Sequence, residues 1–201
     1  MNKLINFIWR RLSKYVFPIF YKFTSNNIQI GSDVIFFGMP ILDVNEKSNI
    51  TLGDKVVLCS RNQNTALGVS KPVIIRTMQP KSVVTIGADT GVSGATICAM
   101  EKVTIGKECL LGSDVMIFDN DFHSLHPEGR RYAKDGVVVR PVNIADNVFI
   151  GARTIVMKGV TIGENSVIGA GSIVVSNIPA NVIAAGNPCK VIKSLGCTIE
   201  K

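Results

Sequence analysis

The carboxyl-terminal half of the chain places an aliphatic residue at every sixth position. The series runs without a break through Ile144, Ile150, Val156, Ile162, Ile168 and Val174. The residue that follows each is mostly small, and the residue four positions on is small or β-branched. A helix repeats near 3.6 residues and a strand near 2, and neither keeps phase at six. A step of six is typical of a β-helix, in which each hexad forms one short strand and a turn.

Three hexads make one coil of 18 residues, so VNI at 142–144 recurs as VTI at 160–162. Each aliphatic side chain is predicted to point into a narrow prism and to stack on its counterparts in neighbouring coils. Looser echoes lie upstream, with IQIG at 28–31, ITLG at 50–53 and VTIG at 103–106. We therefore predict an all-β chain whose parallel β-helix covers residues 25–186.

The repeat is interrupted once by a long segment. Ile105, Leu111 and Ile117 keep the step of six, but the next aliphatic in phase is Ile144, 27 positions on. About 21 residues therefore leave the coil, and a loop of that length inside a compact domain usually has a function. This loop, predicted over 118–143, contains FDNDFHSLHPEGRR with both histidines of the chain.

The loop supplies acid–base chemistry that a wall of small and aliphatic residues lacks. A neutral imidazole, from His123 or His126, can take a proton from a hydroxyl or an amine. Asp119 and Asp121 are close enough in sequence to hold the other ring nitrogen, and Arg130 can bind an anionic group or brace the loop. The alternative is a surface loop in which the histidines are incidental.

The amino-terminal segment MNKLINFIWRRLSKYVFPIFYKF is apolar and basic. Its charges interrupt each apolar run too early for a membrane-spanning helix, and no cleavage site marks a signal peptide. One helical face carries Leu4, Ile5, Ile8, Leu12 and Tyr15, which predicts an amphipathic helix over 1–24. This helix packs on the domain or on a neighbouring subunit, or alternatively lies on a membrane surface.

The composition of the chain limits which functions and which cellular location are expected. The net charge is +7, but aromatic residues are only 6% and the charge is not gathered into a stripe, so nucleic-acid binding is not expected. Five cysteines form no CxxC pair, which favours buried thiols in a reducing compartment. We expect a cytoplasmic protein, with membrane association through the amino-terminal helix as the alternative.

The segment DFHSLHPEGRR, the hexads after it and the terminal AAGNPCKVIK occur together in this order. The combination resembles the left-handed β-helix (hexapeptide-repeat) acetyltransferases, especially the galactoside, maltose and capsule or O-antigen sugar O-acetyltransferases. The resemblance covers residues 82–194 well and residues 28–81 weakly. It implies left-handed winding, a homotrimer, acetyl-coenzyme A in the groove between neighbouring prisms, and no required metal.

The resemblance also implies roles for individual residues. His123, His126 and Arg130 reproduce the family's spacing, so His123 is implied as the general base of a direct transfer. Ser93 stands where the galactoside type carries an asparagine beside the reacting oxygen. The implied catalytic residues are His123, Ser93 and Asp121, and the implied acceptor contacts are Asp119, His126 and Arg130. The implied cofactor contacts are Phe149, Gly151, Ala152, Ala170, Gly171, Ser172, Asn187, Pro188 and Lys190, with the tail 187–201 closing over the adenine end.

The function expected from these features is acetyl-coenzyme A-dependent O-acetylation of a sugar, most naturally a surface polysaccharide or a lipid-linked saccharide precursor. N-acetylation of an amino sugar and acetylation of an antibiotic are alternatives on the same fold. A hexapeptide-fold carbonic anhydrase holds zinc with three histidines, whereas this chain has two. The non-enzymatic alternative is a β-helix scaffold that only binds partners.

Overall fold

The computed structural model of the chain describes residues 16–17, 19–21, 25–132 and 135–196. Short strands wind into a prism with three sides, which we name faces 1, 2 and 3. Face 1 contains β1 (Ile28–Ile30), β4 (Asn49–Leu52), β7 (Val83–Ile86), β10 (Lys102–Ile105), β13 (Val142–Ile144) and β16 (Thr161–Ile162).

Faces 2 and 3 are built in the same way. Face 2 contains β2 (Ile35–Phe37), β5 (Val57–Cys59), β8 (Gly91–Ser93), β11 (Leu110–Leu111), β14 (Phe149–Ile150), β17 (Val167–Ile168), β19 (Val182–Gly186) and β20 (Cys189–Ser194). Face 3 contains β3 (Ile41–Asp43), β6 (Ile74–Thr77), β9 (Thr96–Ala99), β12 (Met116–Phe118), β15 (Ile155–Val156) and β18 (Ile173–Val174). A single turn of 3-10 helix spans Asn62–Asn64.

The register confirms the coil of 18 residues. Ile144 lies beside Ile162, Ile150 beside Ile168, and Val156 beside Val174, all in parallel pairs. The six aliphatics of the predicted series are buried and form the centre of the core, as the step of six predicts. The looser residues 32–81 also form coils, and only the segment 60–73 leaves the prism there.

The corners of the prism require backbone in the left-handed region. Asn147 and Asn165 have φ values of 54° and 60° at successive corners between faces 1 and 2. Asparagine tolerates this conformation better than most residues. The Asn147 amide donates to Asn165 Oδ1 (2.9 Å), and the Asn165 amide donates to Asn181 Oδ1 (2.8 Å). The stacked asparagine side chains at this corner therefore satisfy one another's hydrogen-bonding groups.

The two ends of the prism are closed differently. Residues 16–17 and 19–21 are helical, and the rings of Phe17 and Tyr21 contact Phe36 of the first coil. The Tyr21 hydroxyl donates to the Pro40 carbonyl oxygen (2.6 Å), and burial raises the pKa of Tyr21 to about 12. The apolar face predicted over Leu4–Tyr15 lies outside the described residues, so the amphipathic helix over 1–24 stays a prediction.

At the other end, β19 and β20 form an antiparallel hairpin that extends face 2. This hairpin joins 182–186 to 187–194, which the sequence interpretation assigns to different segments. Its turn is the Asn187–Pro188 pair, joined by a cis peptide bond. Within the part of the chain that the structure describes, no helix has the length and apolar character to cross a membrane.

The outward side chains of the three faces differ in polarity. Face 1 presents a column of Gln29, Thr51, Thr85, Thr104, Asn143 and Thr161. Face 2 presents Ile35, Val57, Gly91, Leu110, Phe149, Val167 and Ile183. Face 3 presents Ile41, Ile74, Thr96, Met116, Ile155 and Ile173. The column of face 1 is therefore polar, while face 2 and this column of face 3 are almost wholly apolar. A second outward position of face 3 carries the ion pair of Arg76 with Asp43 (3.0 Å).

Candidate functional site

The histidine loop, residues 119–141, leaves the prism at the corner between faces 3 and 1. Its two ends pair with each other, because Asn120 bridges Val139 in antiparallel fashion and the Arg140 N–H donates to the Asp119 carbonyl oxygen (2.8 Å). The loop therefore has a closed base, whereas His123, residues 125–132 and residues 135–136 are exposed.

Asp119 fixes this base from inside. Its carboxylate accepts N–H bonds from Met100 (2.8 Å), Glu101 (2.7 Å) and Lys102 (2.8 Å) in the preceding coil. The Asn120 amide adds a fourth bond at 2.9 Å. The side chain is fully buried, and the predicted acceptor contact of Asp119 stays a prediction. The residue is a structural anchor, because its oxygens are already occupied and have no surface to offer.

Asp121 carries the second anchor. Lys158, at the equivalent corner of the next coil, places its Nζ 2.6 Å from Asp121 Oδ1. The other oxygen, Oδ2, is buried and has no hydrogen-bond partner among the described residues. Neither Asp119 nor Asp121 accepts a bond from the His123 ring in the described part of the chain, so the predicted role of Asp121 in orienting that ring stays a prediction.

The backbone turns sharply just before His123. Phe122 has a φ of 60°, which is costly for a bulky aromatic residue. The conformation is held by the Phe122 N–H, which donates to Asn120 Oδ1 (2.8 Å), and by contact of its ring with Phe118. The His123 N–H donates back to the Asp121 carbonyl oxygen (2.6 Å). Several hydrogen bonds and the ring contact therefore fix the backbone from which His123 projects.

The tip of the loop is braced from within. The Arg130 guanidinium donates to the carbonyl oxygens of Leu125 (3.0 Å) and His126 (3.4 Å). The His126 N–H donates to Ser124 Oγ (3.2 Å). Of the two roles that the sequence leaves open for Arg130, bracing is the one with observed contacts. An acceptor contact by His126 or Arg130 stays a prediction.

A cavity of about 660 Å³ lies at the corner between faces 2 and 3. Its lining includes Ala152, Ala170 and Gly171, which the sequence assigns to the cofactor wall. The opposite wall is the segment 60–73, which we name the side loop. Within the side loop, Asn62 Oδ1 accepts the Val69 N–H (2.8 Å). Asp114 accepts the Ser70 N–H (3.0 Å), which holds the side loop against the corner.

Other residues predicted for the cofactor wall have different positions. Gly151 is buried, and a Cβ there would collide with the backbone of Ala170 in the next coil. The Ser172 hydroxyl is buried, donating to the Gly169 carbonyl oxygen (2.6 Å) and accepting the Gly186 N–H (3.1 Å). Coil packing therefore accounts for Gly151 and for the Ser172 hydroxyl, and their predicted contacts with the cofactor stay predictions.

Ser93 and Phe149 lie together on face 2, in a separate cavity of about 310 Å³. Ser93 ends β8 near the corner between faces 2 and 3, whereas the histidine loop begins beyond the far edge of face 3. Within one chain, face 3 therefore separates Ser93 from His123. Asn187, Pro188 and Lys190 are exposed at the hairpin turn, and their predicted contacts with the cofactor stay predictions.

Several residues of this arrangement escape sequence reasoning. Lys158 and Asp114 are two of them, since each acts on a loop distant in the chain. A signal does exist for Lys158, because counting hexads places it at the same corner as the histidine loop, one coil later. The described cysteines are buried, and burial raises the pKa of Cys59, Cys98, Cys109 and Cys189. High thiol pKa values argue against a cysteine nucleophile.

Comparison with known proteins agrees with this architecture. Residues 141–176 match the family described as bacterial transferase hexapeptide (six repeats), and residues 102–117 match the hexapeptide repeat of succinyl-transferase. The galactoside O-acetyltransferase of Escherichia coli (strain K12) is 47% identical over 101 residues, which are 50% of this chain and 48% of that protein. The chain spans about half the length of the curated relatives it matches.

Solved structures extend the likeness over nearly the whole fold. A galactoside acetyltransferase in complex with coenzyme A is 25% identical, with 96% of this chain and 80% of that chain covered and a TM-score of 0.53. A mutant of AntD, an N-acyltransferase from Bacillus cereus, in complex with dTDP and coenzyme A, reaches a TM-score of 0.68 at 20% identity, with 89% of each chain covered. The likeness supports the left-handed winding that the sequence resemblance implies.

Proposed function

We propose that this chain, which belongs to the hexapeptide-repeat acetyltransferase family, transfers an acetyl group from acetyl-coenzyme A to the hydroxyl of a sugar. The observation that carries the proposal is the histidine loop, whose buried, multiply bonded base presents an exposed His123. A loop held this firmly at its base and open at its reactive residue suits a catalyst, because positioning supplies much of an enzymatic rate.

The reaction needs one base and no covalent enzyme intermediate. The neutral His123 imidazole takes the proton of the sugar hydroxyl, and the oxygen attacks the thioester carbon. A carbon–oxygen bond forms, the carbon–sulfur bond breaks, and coenzyme A leaves as the thiol with the proton that His123 returns. Backbone N–H groups and the Ser93 hydroxyl are the candidate donors for the oxygen on which negative charge develops.

The cavity at the corner between faces 2 and 3 suits the donor. Ala152, Ala170 and Gly171 leave space along successive coils, so an extended pantetheine chain can lie against the backbone. The exposed Lys190 at the hairpin turn supplies positive charge for a phosphate. These contacts, and those of Asn187 and Pro188, are part of the proposal.

The same geometry favours a homotrimer. A cyclic assembly needs two different surfaces on each copy that fit one another. The apolar face 2 and the apolar column of face 3 provide such a pair, while the polar face 1 suits solvent. In such an assembly, the site is proposed to combine the cavity of one copy with the histidine loop of another. The separation of Ser93 from His123 within one chain is then resolved between chains.

The acceptor is proposed to be a surface polysaccharide or a lipid-linked saccharide precursor. The experiment measures release of free thiol from acetyl-coenzyme A with a panel of hydroxy sugars, amino sugars and oligosaccharides, for wild type, His123→Ala and His126→Ala. We expect His123→Ala to lower kcat about 10²- to 10⁴-fold, the range of general-base catalysis. In His126→Ala, which alters a neighbour on the same loop, kcat is expected to fall much less.

Three results contradict the proposal. If His123→Ala keeps kcat within about threefold of wild type while its oligomeric state is unchanged, another group is the base. If an amino sugar alone stimulates thiol release, the reaction is N-acetylation. Failure of the whole panel with the wild-type protein contradicts the transferase function itself and favours a scaffold.

A further inference from the structure

The contact between Lys158 and Asp121 differs from the other ion pairs of the described chain. Its length is 2.6 Å, and its side chains are only 21% and 10% exposed. The pair between Lys107 and Asp146 is 3.9 Å long with side chains 59% and 50% exposed, so solvent screens it. A buried charge left without its partner is strongly unfavourable, and Lys158 is therefore tied closely to Asp121.

The second carboxylate oxygen of Asp121, Oδ2, is the feature that suggests a catalytic role for the pair. Oδ2 is buried, and no described residue gives it a hydrogen bond. Buried acceptors almost always have partners, and an exception at a loop with an exposed histidine calls for a chemical reason. Asp121 lies two residues before His123, and the short N–H bond from His123 to the Asp121 carbonyl folds the chain back on itself.

We propose that Lys158 is a positioning residue for His123, acting through Asp121. It holds one carboxylate oxygen, fixes the base of the histidine loop against the next coil, and leaves Oδ2 as the acceptor for the imidazolium that forms when His123 takes the proton. This inference rests on the proposed function, because it assigns His123 the role of base. It adds a residue 35 positions away in the sequence to the group that orients that base.

The end of the histidine loop also packs directly against the corner that carries Lys158. Lys158 lies one coil beyond the histidine loop, where Gly159 receives the Arg140 side chain and donates its N–H to the Arg140 carbonyl oxygen (2.9 Å). The end of the loop and the corner that carries Lys158 are therefore packed together. Motion of the loop base has to break this bond and the ion pair together.

The test compares Lys158→Met, which keeps length and removes charge, with Lys158→Arg, which keeps charge. Lys107→Met is the matched control, because it breaks the exposed ion pair far from the loop. We expect Lys158→Met to lower kcat about 10- to 100-fold, the cost of small misplacement of a catalytic group. The KM for acetyl-coenzyme A should change little, and Lys158→Arg should recover most of kcat. Lys107→Met should leave kcat within about twofold.

A double-mutant cycle tests whether Lys158 acts through Asp121. Lys158→Met should have no further effect on kcat in an Asp121→Asn background. Additive losses in the double variant would overturn the proposal, as would a Lys158→Met enzyme with kcat within about threefold of wild type. Loss of kcat that tracks loss of thermal stability, without rescue by arginine, would indicate a structural role alone.

A second readout separates failure of this inference from failure of the proposed function. The chain has two histidines, so their ring resonances can be assigned by comparing wild type with His126→Gln. We expect Lys158→Met to shift or broaden the His123 ring signals far more than those of His126, and Lys107→Met to change neither. Unchanged His123 signals overturn the positioning role even if the protein proves to have another activity.

Discussion

The side loop and the histidine loop leave the prism at different corners and are anchored differently. The side loop is held by Asp114, which accepts one N–H from Ser70 in an exposed setting. The histidine loop is held by the buried Asp119, which accepts three backbone N–H groups, and by the ion pair of Asp121 with Lys158. One segment lines a cavity, while the other projects a titratable group.

The difference matches what each segment does in the proposed enzyme. A wall that encloses a flexible donor tolerates adjustment, so a single exposed bond from outside the side loop is sufficient. A general base has to keep its geometry to within a fraction of an ångström, and buried charge-assisted bonds give that rigidity. In the proposed enzyme, the contrast in anchoring separates the segment that binds the donor from the segment that carries the base.

The largest expected difference between the two loops is in the stability lost when Asp119 or Asp114 is replaced. Asp119→Ala leaves three backbone N–H groups without their acceptor, so we expect a loss of about 3 kcal/mol in the free energy of unfolding. Asp114→Ala should cost about 1 kcal/mol, because its single bond is exposed. Urea denaturation of both variants at one protein concentration measures the difference. Equal losses would show that the two loops are held alike.

Filling the cavity tests whether its space is used for binding alone. Ala170→Trp puts an indole into the corner, and we expect the Kd for coenzyme A to rise at least about tenfold, or 1.4 kcal/mol. His123→Ala should leave that Kd within about twofold. Ala180→Trp is a control at an exposed alanine outside the cavity. Isothermal titration calorimetry gives all three values, and unchanged affinity in Ala170→Trp would place the donor elsewhere.

The smallest expected effect is on the alkylation rates of two native thiols, each of which lies beside one of the loops. Cys59 immediately precedes the side loop, and Cys98 lies beside Phe118 at the start of the histidine loop. Burial raises the pKa of both thiols, so alkylation should be slow near pH 8 and should quicken as pH rises and thiolate forms.

Local opening of either loop should expose its own thiol. We expect Asp119→Ala to speed alkylation of Cys98 severalfold and leave Cys59 unchanged, and Asp114→Ala to do the reverse. Mass spectrometry of the alkylated peptides follows both sites in one sample. Parallel acceleration of both thiols in either variant would mean that the loops open as one unit.

The regular part of this fold is accessible from sequence because its geometry is periodic. A step of six specifies both the strand and the corner, so the spacing alone places Ile150 and Ile168 in the core and in register. The histidine loop is visible for the same reason, since it breaks the phase between Ile117 and Ile144. The side loop is harder to detect, because the upstream coils carry looser hexads and offer no phase to break.

The site is less predictable because its bonds join distant residues. Proximity in sequence suggests that Asp119 lies near the acceptor, but its carboxylate faces the preceding coil and holds residues 100–102. Lys158 is invisible to local reasoning, since only the stacking of coils brings it to Asp121. Gly151 is a further case, because this small residue, predicted to line the cofactor groove, is needed to let the next coil approach.

The closures at the two ends of the prism also bear on solubility. A stack of parallel strands can in principle continue into the next molecule, as cross-β fibrils do. Here Phe17 and Tyr21 cover the first coil. The far edge of face 2 is an antiparallel strand that carries Lys190 and Lys193. The strands of faces 1 and 3 at that end are two residues long. Each exposed edge is thus short, charged or covered, which protects a repetitive, aliphatic chain from end-to-end aggregation.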